Sequence, residues 1–230
     1  MKPIIGIVGR PGIIFNKYDV EVTEETYKNA VIESGGIPIT ILPPQNISYN
    51  SIAPKDVEKL TMEEMNNLNR VIEVCDAIIM PGGFKTYGYD YYICNYANMI
   101  NIPILGICAG MQVIVREGSN IQLEKCPTDI HKSNQEYSHS IRLDKNSLLY
   151  DIIMKEEILV NSYHSYYVPN SGINNISAIS KEDGIIEAIE NPNSSFCIGV
   201  QWHPEKIYDE NSQKLFTYFI EEAKKYRKTK

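Results

Sequence analysis

Short apolar runs and helix-like patterns follow one another through the first half of the chain. Runs rich in β-branched residues predict four buried strands, at 2–8, 37–42, 76–80 and 102–107. Apolar residues that recur every three or four positions predict helices at 23–33, at 61–75 and after residue 108. Strand, helix and strand in succession form a right-handed parallel unit. The pattern therefore predicts an α/β fold in which helices flank a mostly parallel sheet.

Capping signals indicate where the first two helices begin and end. Thr23 is the expected N-cap of the first helix, and Gly35-Gly36 follows that helix as its end. Thr61 and Glu64 form a capping box for the second helix. Residues 9–12, which contain two glycines and a proline, are expected to form the loop that leaves the first strand.

The second half of the chain is rich in predicted strands. They are expected at 140–143, 158–163, 176–180, 185–189 and 196–201. A polar segment at 117–137 is expected to be either a lid or an extended connection. An amphipathic helix over 210–227 closes the chain. The length suits one domain, residues 1–230, with a single large core.

Composition and charge exclude several classes of protein. The formal net charge of −7 argues against a nucleic-acid or anionic-membrane surface and favours a small uncharged or zwitterionic ligand. Five cysteines without a C-x-x-C pair indicate neither a disulfide framework nor a zinc site. This pattern is typical of the reducing cytoplasm, and no apolar stretch reaches membrane-spanning length. We therefore expect a cytoplasmic protein.

The segment IPILGICAGMQ at 102–112 is the strongest candidate for chemistry. Small residues at Gly106 and Gly110 let strand and helix approach closely, which would hold Cys108 in a strained turn with an exposed sulfur. The helix N-terminus favours a thiolate there, and the N–H of Ala109 points to where an oxyanion would form. The alternative is that Cys108 is a small core residue.

A second glycine turn, Pro81-Gly82-Gly83, ends the preceding strand. Its glycines permit unusual backbone angles that turn N–H groups toward a cavity, although a simple turn is the other interpretation. In a parallel sheet this turn and the cysteine turn open on the same edge, where such folds place their sites. Tyrosines between 87 and 92, Tyr89 and Tyr91 among them, are expected to form an aromatic wall beside it.

His203 is the best-placed base for Cys108 among the four histidines, because it follows the last predicted strand. Pro204 disfavours helix at His203, and in extended chain Glu205 faces the same side as the histidine. A nucleophile, a base and an orienting acid would result. His-Pro-Glu alone is more often a surface turn. The histidines show no H-x-x-x-H spacing, so the sequence indicates no metal site.

Three segments carry a family resemblance: MPGG (80–83), GICAGMQ (106–112) and GVQWHPE (199–205). They resemble the three blocks of class I glutamine amidotransferase domains, which have a flavodoxin-like fold. Together with KPIIGI, ESGGIPI, VNSYHSYYV and DGIIEAIE, they resemble more narrowly the γ-glutamyl-γ-aminobutyrate hydrolase branch, the C26-type hydrolases. The resemblance spans nearly the whole chain.

The resemblance implies a cysteine enzyme that cleaves a γ-glutamyl amide through a thioester, without a cofactor. It implies a catalytic triad of Cys108, His203 and Glu205. It further implies oxyanion N–H groups from Gly83 and Ala109. The groups that would hold the glutamyl end are Gly82, Gln112 and the loop around His164.

Two departures concern the leaving-group side of the substrate. Ala109 stands where the hydrolase branch usually has arginine, and FKTYGYDYY follows P-G-G in place of an acidic, proline-containing run. PGGF and YG are more similar to the glutaminase part of formylglycinamidine synthase. The identity of the amine is therefore open, as is the oligomeric state, a homodimer included.

Four interpretations follow from these residues. The leading one is a stand-alone hydrolase that releases glutamate from a small γ-glutamyl amine. The second is a glutaminase subunit that passes ammonia to a synthetase on another chain. A catalytically inactive binding module on the same fold is disfavoured by the intact triad. A metal hydrolase is disfavoured by the spacing of the histidines.

Overall fold

The computed structural model describes residues 1–45, 59–133 and 135–230. The helices are α1 (Glu25–Glu33), α2 (Met62–Val74), α3 (Gly88–Met99), α4 (Ala109–Arg116), α5 (Leu148–Ile153), α6 (Pro204–Ile207) and α7 (Glu210–Arg227). A 3-10 helix covers Asp129–His131. Within the described ranges, no helix is long and apolar enough to cross a membrane.

In the part of the chain that the structure describes, nine strands form the main sheet. They are β1 (Ile4–Val8), β4 (Ile37–Ile41), β5 (Ala77–Met80), β6 (Ile104–Ile107), β8 (His139–Leu143), β9 (Glu157–Val160), β11 (Asn175–Ser180), β12 (Ile186–Glu190) and β13 (Cys197–Val200). Two further pairs lie outside it: β2 (Arg10–Ile14) with β3 (Tyr18–Val22), and β7 (Glu124–Lys125) with β10 (Tyr166–Tyr167).

The main sheet has the order β4-β1-β5-β6-β13-β12-β11-β8-β9. The first five strands are parallel, and the last four are antiparallel to their neighbours. The predicted α/β fold with a β-rich second half is confirmed. Because β13 pairs with β6 in parallel, the chain that leaves β13 begins at the same sheet edge as the turn that leaves β6.

The parallel strands send alternate side chains to two cores, as a period of two requires. Ile5 and Ile7 of β1 join the core beneath α1, α5 and α7. Ile78 and Met80 of β5 join the core beneath α2, α3 and α4. The continuous apolar runs in the sequence therefore reflect strands that are covered on both faces.

Residues 10–12 belong to β2, which forms a hairpin with β3, so the expected loop at residues 9–12 is wrong for most of its length. Its turn uses Phe15 and Asn16, both of which have positive φ values, 52° and 51°. Glycine normally supplies this conformation in a two-residue turn. The sequence therefore lacks the usual hairpin signal. Pro11 and Gly12 lie in β2 instead of in a turn, and Gly9 alone lies between β1 and β2.

The two predicted helix starts differ in outcome. The capping box of Thr61 and Glu64 is present at the start of α2. At α1 the N-cap is Glu24, which makes no side-chain cap hydrogen bond, so the expected cap at Thr23 is wrong. The Thr23 hydroxyl instead lies 3.0 Å from the Thr40 hydroxyl, which ties the start of α1 to the end of β4.

The polar segment at 117–137 lies as an extended connection along the loop that follows β9, with residue 134 outside the described residues. Strand β7 pairs with β10, and the N–H of Cys126 donates to the Ser165 carbonyl. The N–H of His164 donates to the His131 carbonyl at 2.8 Å. Backbone hydrogen bonds therefore fix this segment at several points.

Candidate active site

Cys108 occupies a strained turn between β6 and α4, as predicted. Its φ of 53° and ψ of −107° lie in a region that residues other than glycine rarely adopt. A Cβ on Gly110 would lie 1.9 Å from the Met80 carbonyl oxygen, and one on Gly106 would lie 2.5 Å from Ile114. The two flanking glycines therefore permit the close approach that holds the turn.

The sulfur of Cys108 was expected to be exposed, but the residue is only 7% accessible. Gly82 lies directly beside it. A Cβ built on Gly82 would be 3.5 Å from the Cys108 Cβ and 2.8 Å from His203 Cε1. The expected meeting of the two glycine turns at one sheet edge is therefore present, and it places Cys108 in a sheltered position.

His203 and Glu205 make the expected contact, with 2.7 Å between Nδ1 and Oε1. The backbone differs from the extended chain that the sequence suggested, because His203 is the N-cap of α6 and Glu205 lies in the first turn of that helix. Burial opposes a positive charge on the ring. The Glu205 carboxylate and the Cys108 sulfur outweigh it and raise the pKa of His203 to about 10.

This pKa gives a testable pH dependence. Because the folded pKa of His203 exceeds its ordinary value of 6.5, protonation of the ring stabilises the fold fully below about pH 6.5. That contribution is lost as the pH rises through about 10. An NMR titration of the His203 ring should show a high midpoint, and Cys108→Ala should lower it without restoring the ordinary value. A midpoint near 6.5 in the unmodified protein would contradict the ion-pair arrangement.

Asn161, a residue that the sequence analysis did not assign, holds the backbone of His203 on both sides. Its Oδ1 accepts from the His203 N–H and its Nδ2 donates to the His203 carbonyl, each at 2.8 Å. Asn161 is fully buried. It lies directly after β9, inside the VNSYHSYYV block, so the block itself was the signal that could have identified it.

Arg10 holds the P-G-G turn from the hairpin side. Its guanidinium donates to the carbonyls of Pro81 and Gly82 at 2.7 and 3.1 Å and lies 2.5 Å from a carboxylate oxygen of Asp90. Asp90 is buried in the first turn of α3, where it also accepts from the Tyr87 N–H. Sequence reasoning missed Arg10 because it assigned that residue to the loop that leaves the first strand.

The N–H groups at the two turns are not equivalent. The Gly82 N–H donates to the Tyr27 hydroxyl at 2.9 Å. The Gly83 N–H has no hydrogen-bond partner within the described ranges, and Ala109, as the first residue of α4, has no acceptor inside its helix. Neither Gly82 nor Gly83 has a positive φ, so the expectation of unusual backbone angles there is wrong. Position 82 has to be glycine because a side chain there would collide with the His203 ring.

Gly82→Ala should therefore lower kcat/KM by about 100-fold, because the added methyl would displace the His203 ring. Gly83→Ala is the matched control. A Cβ there would lie 3.2 Å from Arg10 Nε and 3.5 Å from the carbonyl of Lys85, contacts that a shift of a few tenths of an ångström relieves. We expect that control to stay within about tenfold of the unmodified protein. Equal losses of kcat/KM in the two variants would show that displacement of the His203 ring does not cause the effect of Gly82→Ala.

Gln112 and His164, the residues expected at the glutamyl end, meet at one carbonyl group. Gln112 Nε2 donates to the Tyr166 carbonyl at 3.0 Å and to Gln201 Oε1 at 3.2 Å. His164 Nδ1 lies 3.2 Å from the same Tyr166 oxygen. The far side of the His164 ring faces Glu187, with 3.7 Å between Nε2 and Oε1.

A cavity of about 480 Å³ lies between the hairpin and the P-G-G turn. Gly82, Gly83 and Tyr27 are among its lining residues, and Tyr87 and Phe84 supply aromatic surface. Tyr89 is buried in the core, and Tyr91, whose hydroxyl pairs with Thr86, does not line the cavity. The expected aromatic wall from Tyr89 and Tyr91 is therefore wrong, because helix α3 turns both rings elsewhere.

Known proteins resemble this chain in sequence and in fold. A Schizosaccharomyces pombe protein named "Putative glutamine amidotransferase" is 34% identical over 219 residues, which cover 89% of this chain and 83% of the relative. A Thermoplasma acidophilum protein described as a putative GMP synthase subunit superposes with a TM-score of 0.68 at 16% identity, over 100% of this chain and 98% of that one. The glutaminase domain of Trypanosoma brucei CTPS gives 0.65 at 18% identity, over 97% and 94%.

The two solved structures define the fold as that of class I glutamine amidotransferase-type domains. The sequence description of the peptidase C26 family matches residues 3–205. The chain belongs to the peptidase C26 family. Membership supports a C–N hydrolase, acting either as a hydrolase or as a glutaminase subunit.

Proposed function

We propose that the protein hydrolyses the γ-glutamyl amide bond of a γ-glutamyl amine and releases glutamate. The observation that carries the proposal is the sheltered Cys108 at the N-terminus of α4, beside a His203 ring that Glu205 holds in its charged form. A thiolate paired with an imidazolium is a ready nucleophile with a proton donor next to it.

In the proposed reaction, the Cys108 thiolate attacks the γ-carbonyl carbon. The backbone N–H groups of Gly83 and Ala109 donate hydrogen bonds to the oxyanion that forms. The imidazolium of His203 then gives its proton to the leaving amine, and the C–N bond breaks to leave a glutamyl thioester. Neutral His203 next takes a proton from water, whose oxygen attacks the thioester. Glutamate leaves, and the thiolate and imidazolium are restored.

We assign the two ends of the substrate to opposite sides of Cys108. The glutamyl end would lie against Gly82, Gln112 and the loop around His164, where backbone and amide groups converge on Tyr166. The amine would extend into the cavity lined by Tyr87 and Phe84, whose aromatic surface suits an apolar amine stem. All five cysteines are free thiols, which supports the cytoplasm as the place of action.

A glutaminase subunit is the second candidate. The resemblance to the glutaminase domain of a CTP synthase and to a protein of the GMP synthase type supports it. In that case glutamine would be the substrate, and ammonia would pass to a synthetase on a separate chain. The hydrolase is preferred because the resemblance to the C26-type hydrolases covers residues 3–205.

A substrate panel tests the choice between the two functions. The purified protein alone should hydrolyse γ-glutamyl derivatives of primary amines faster than glutamine, and alkylation of Cys108 should stop both reactions. Tyr87→Ala should change the preference among amines more than it changes glutamate recognition. Glutamine cleavage that requires an added synthetase, with no activity on any γ-glutamyl amine, would favour the glutaminase instead.

A further inference from the structure

Three of the four histidines converge on one buried carboxylate in the β-rich half of the sheet. Oε1 of Glu187 lies 3.3 Å from Nδ1 of His131, 3.2 Å from Nε2 of His139 and 3.7 Å from Nε2 of His164. The 3-10 helix, β8, the loop after β9 and β12 each contribute one of these residues. Glu187 is 0% exposed and the three histidines are buried.

In two of these rings, the nitrogen that points away from Glu187, here called the far nitrogen, already has a hydrogen-bond acceptor. His131 Nε2 lies 2.9 Å from a carboxylate oxygen of Asp183, and His164 Nδ1 lies 3.2 Å from the Tyr166 carbonyl oxygen. A neutral imidazole carries one proton, so these acceptors require it on the far nitrogen. The nitrogens that face Glu187 then present lone pairs to an ionised carboxylate, which also only accepts. Such contacts need a positive charge between them.

Protonation of His131, which lies between Glu187 and Asp183, supplies part of that charge, but protonation of the neighbouring rings as well is disfavoured. The ring centroids of His131 and His139 are 4.6 Å apart and those of His131 and His164 are 4.7 Å apart, so several imidazolium ions would repel one another. In the described part of the chain, no lysine or arginine forms an ion pair with Glu187 or Asp183. Glu187 Oε2, His139 Nδ1 and His164 Nε2 also lack hydrogen-bond partners there.

We propose that this cluster binds a divalent transition-metal ion, with Zn²⁺ as the best fit. His131 Nδ1, His139 Nε2 and a Glu187 oxygen lie within 4.8 Å of one another and would be three of the ligands. His164 Nε2, 3.7 Å from Glu187 Oε1, would be the fourth after a small movement of its ring. Zinc–nitrogen bonds of about 2.0–2.1 Å give ligand separations of about 3.3 Å in a tetrahedral site. The 3.2 and 3.3 Å contacts to Glu187 match that separation.

The surroundings of the cluster are those of a metal site. Ligating histidines usually donate their second N–H to a carboxylate or a backbone carbonyl, which are the roles of Asp183 and the Tyr166 carbonyl here. The Tyr166 carbonyl also accepts from Gln112 at the candidate active site. The ion would therefore fasten the 117–137 segment and the loop after β9 to β12, and support the glutamyl side of the site.

Zinc binding can be measured without reference to activity. Chelator-treated, tag-free protein is titrated with Zn²⁺ alone in a Cys108→Ala/His203→Ala background, which removes the other pair of metal-binding side chains. We expect about one zinc per chain and a higher melting temperature with zinc, because the ion binds the folded state. Substitution by Co²⁺ should give visible bands of a nitrogen and oxygen site, without a thiolate charge-transfer band.

Matched variants locate the ion. Glu187→Gln should weaken zinc binding at least about 100-fold, whereas Glu205→Gln, another buried glutamate paired with a histidine, should leave it unchanged. If Glu187→Gln does not fold, Asp183→Asn, at a side chain that is 12% exposed, should still weaken binding about 10- to 100-fold. Zinc content well below one per chain, unchanged binding in the folded variants, or a thiolate band with Co²⁺ would overturn the proposal.

Discussion

Replacing Cys108 with alanine should lower turnover of the γ-glutamyl substrate by roughly 10⁴-fold or more while the protein stays folded. The side chain removed is small, and the turn that carries it is held by backbone contacts of Gly106 and Gly110. We therefore expect the thiol to be dispensable for the fold and essential for the proposed thioester. Steady-state kinetics and a melting curve test both parts. Activity within about tenfold of the unmodified protein, with normal melting, would contradict the proposed nucleophile.

Alkylation provides a control that needs no mutation. Burial raises the pKa of Cys75 and of Cys197 to about 12, and it raises that of Cys126 to about 11. Burial also raises the pKa of Cys94 well above its ordinary value. These thiols stay protonated at neutral pH and react slowly. Iodoacetamide should therefore label Cys108 first, and the loss of activity should follow that label in mass spectra.

His203→Ala should cost nearly as much as loss of the cysteine, roughly 10³-fold or more in kcat/KM. In the proposed reaction the imidazolium both pairs with the thiolate and donates the proton that the leaving amine needs, so its removal would affect two steps. Glu205→Gln should have a smaller effect, because an amide still occupies the position 2.7 Å from Nδ1 but no longer holds the charge. The Cys108→Ala/His203→Ala double variant completes the test. If it loses far more than either single variant, the two residues do not act as one unit.

The sequence was sufficient for the parts of the fold that follow a strict period. Strands of the parallel half are continuous apolar runs because both faces are covered, and the capping box at Thr61 is a local signal. The hairpin at residues 10–22 was missed because its turn uses Phe15 and Asn16 instead of glycine. The short helix α6 was missed because Pro204, which predicts extended chain before it, also fits the first position of a helix.

The proposed triad was readable because each of its parts lies in a short motif at a strand end. Arg10 and Asn161 were not assigned, because each acts on a turn that is distant in the sequence. Asn161 lies in the VNSYHSYYV block, but that block indicates a role only for the loop around His164. The histidine cluster was the least accessible. Its ligands come from four separate elements, so no spacing along the chain reveals that His131, His139 and His164 face the same carboxylate.

The position of β13 has a consequence for how the protein is made. This strand is the last of the sheet in chain order, yet it lies between β6 and β12 and joins the parallel half to the antiparallel half. A nascent chain that ends before β13 holds both halves with apolar strand edges still open to other chains. The same insertion brings Val200 to the Cys108 N–H and carries His203 to the thiol. Closure of the sheet and assembly of the proposed triad therefore depend on the same strand, and a substitution that keeps β13 out of the sheet should abolish both.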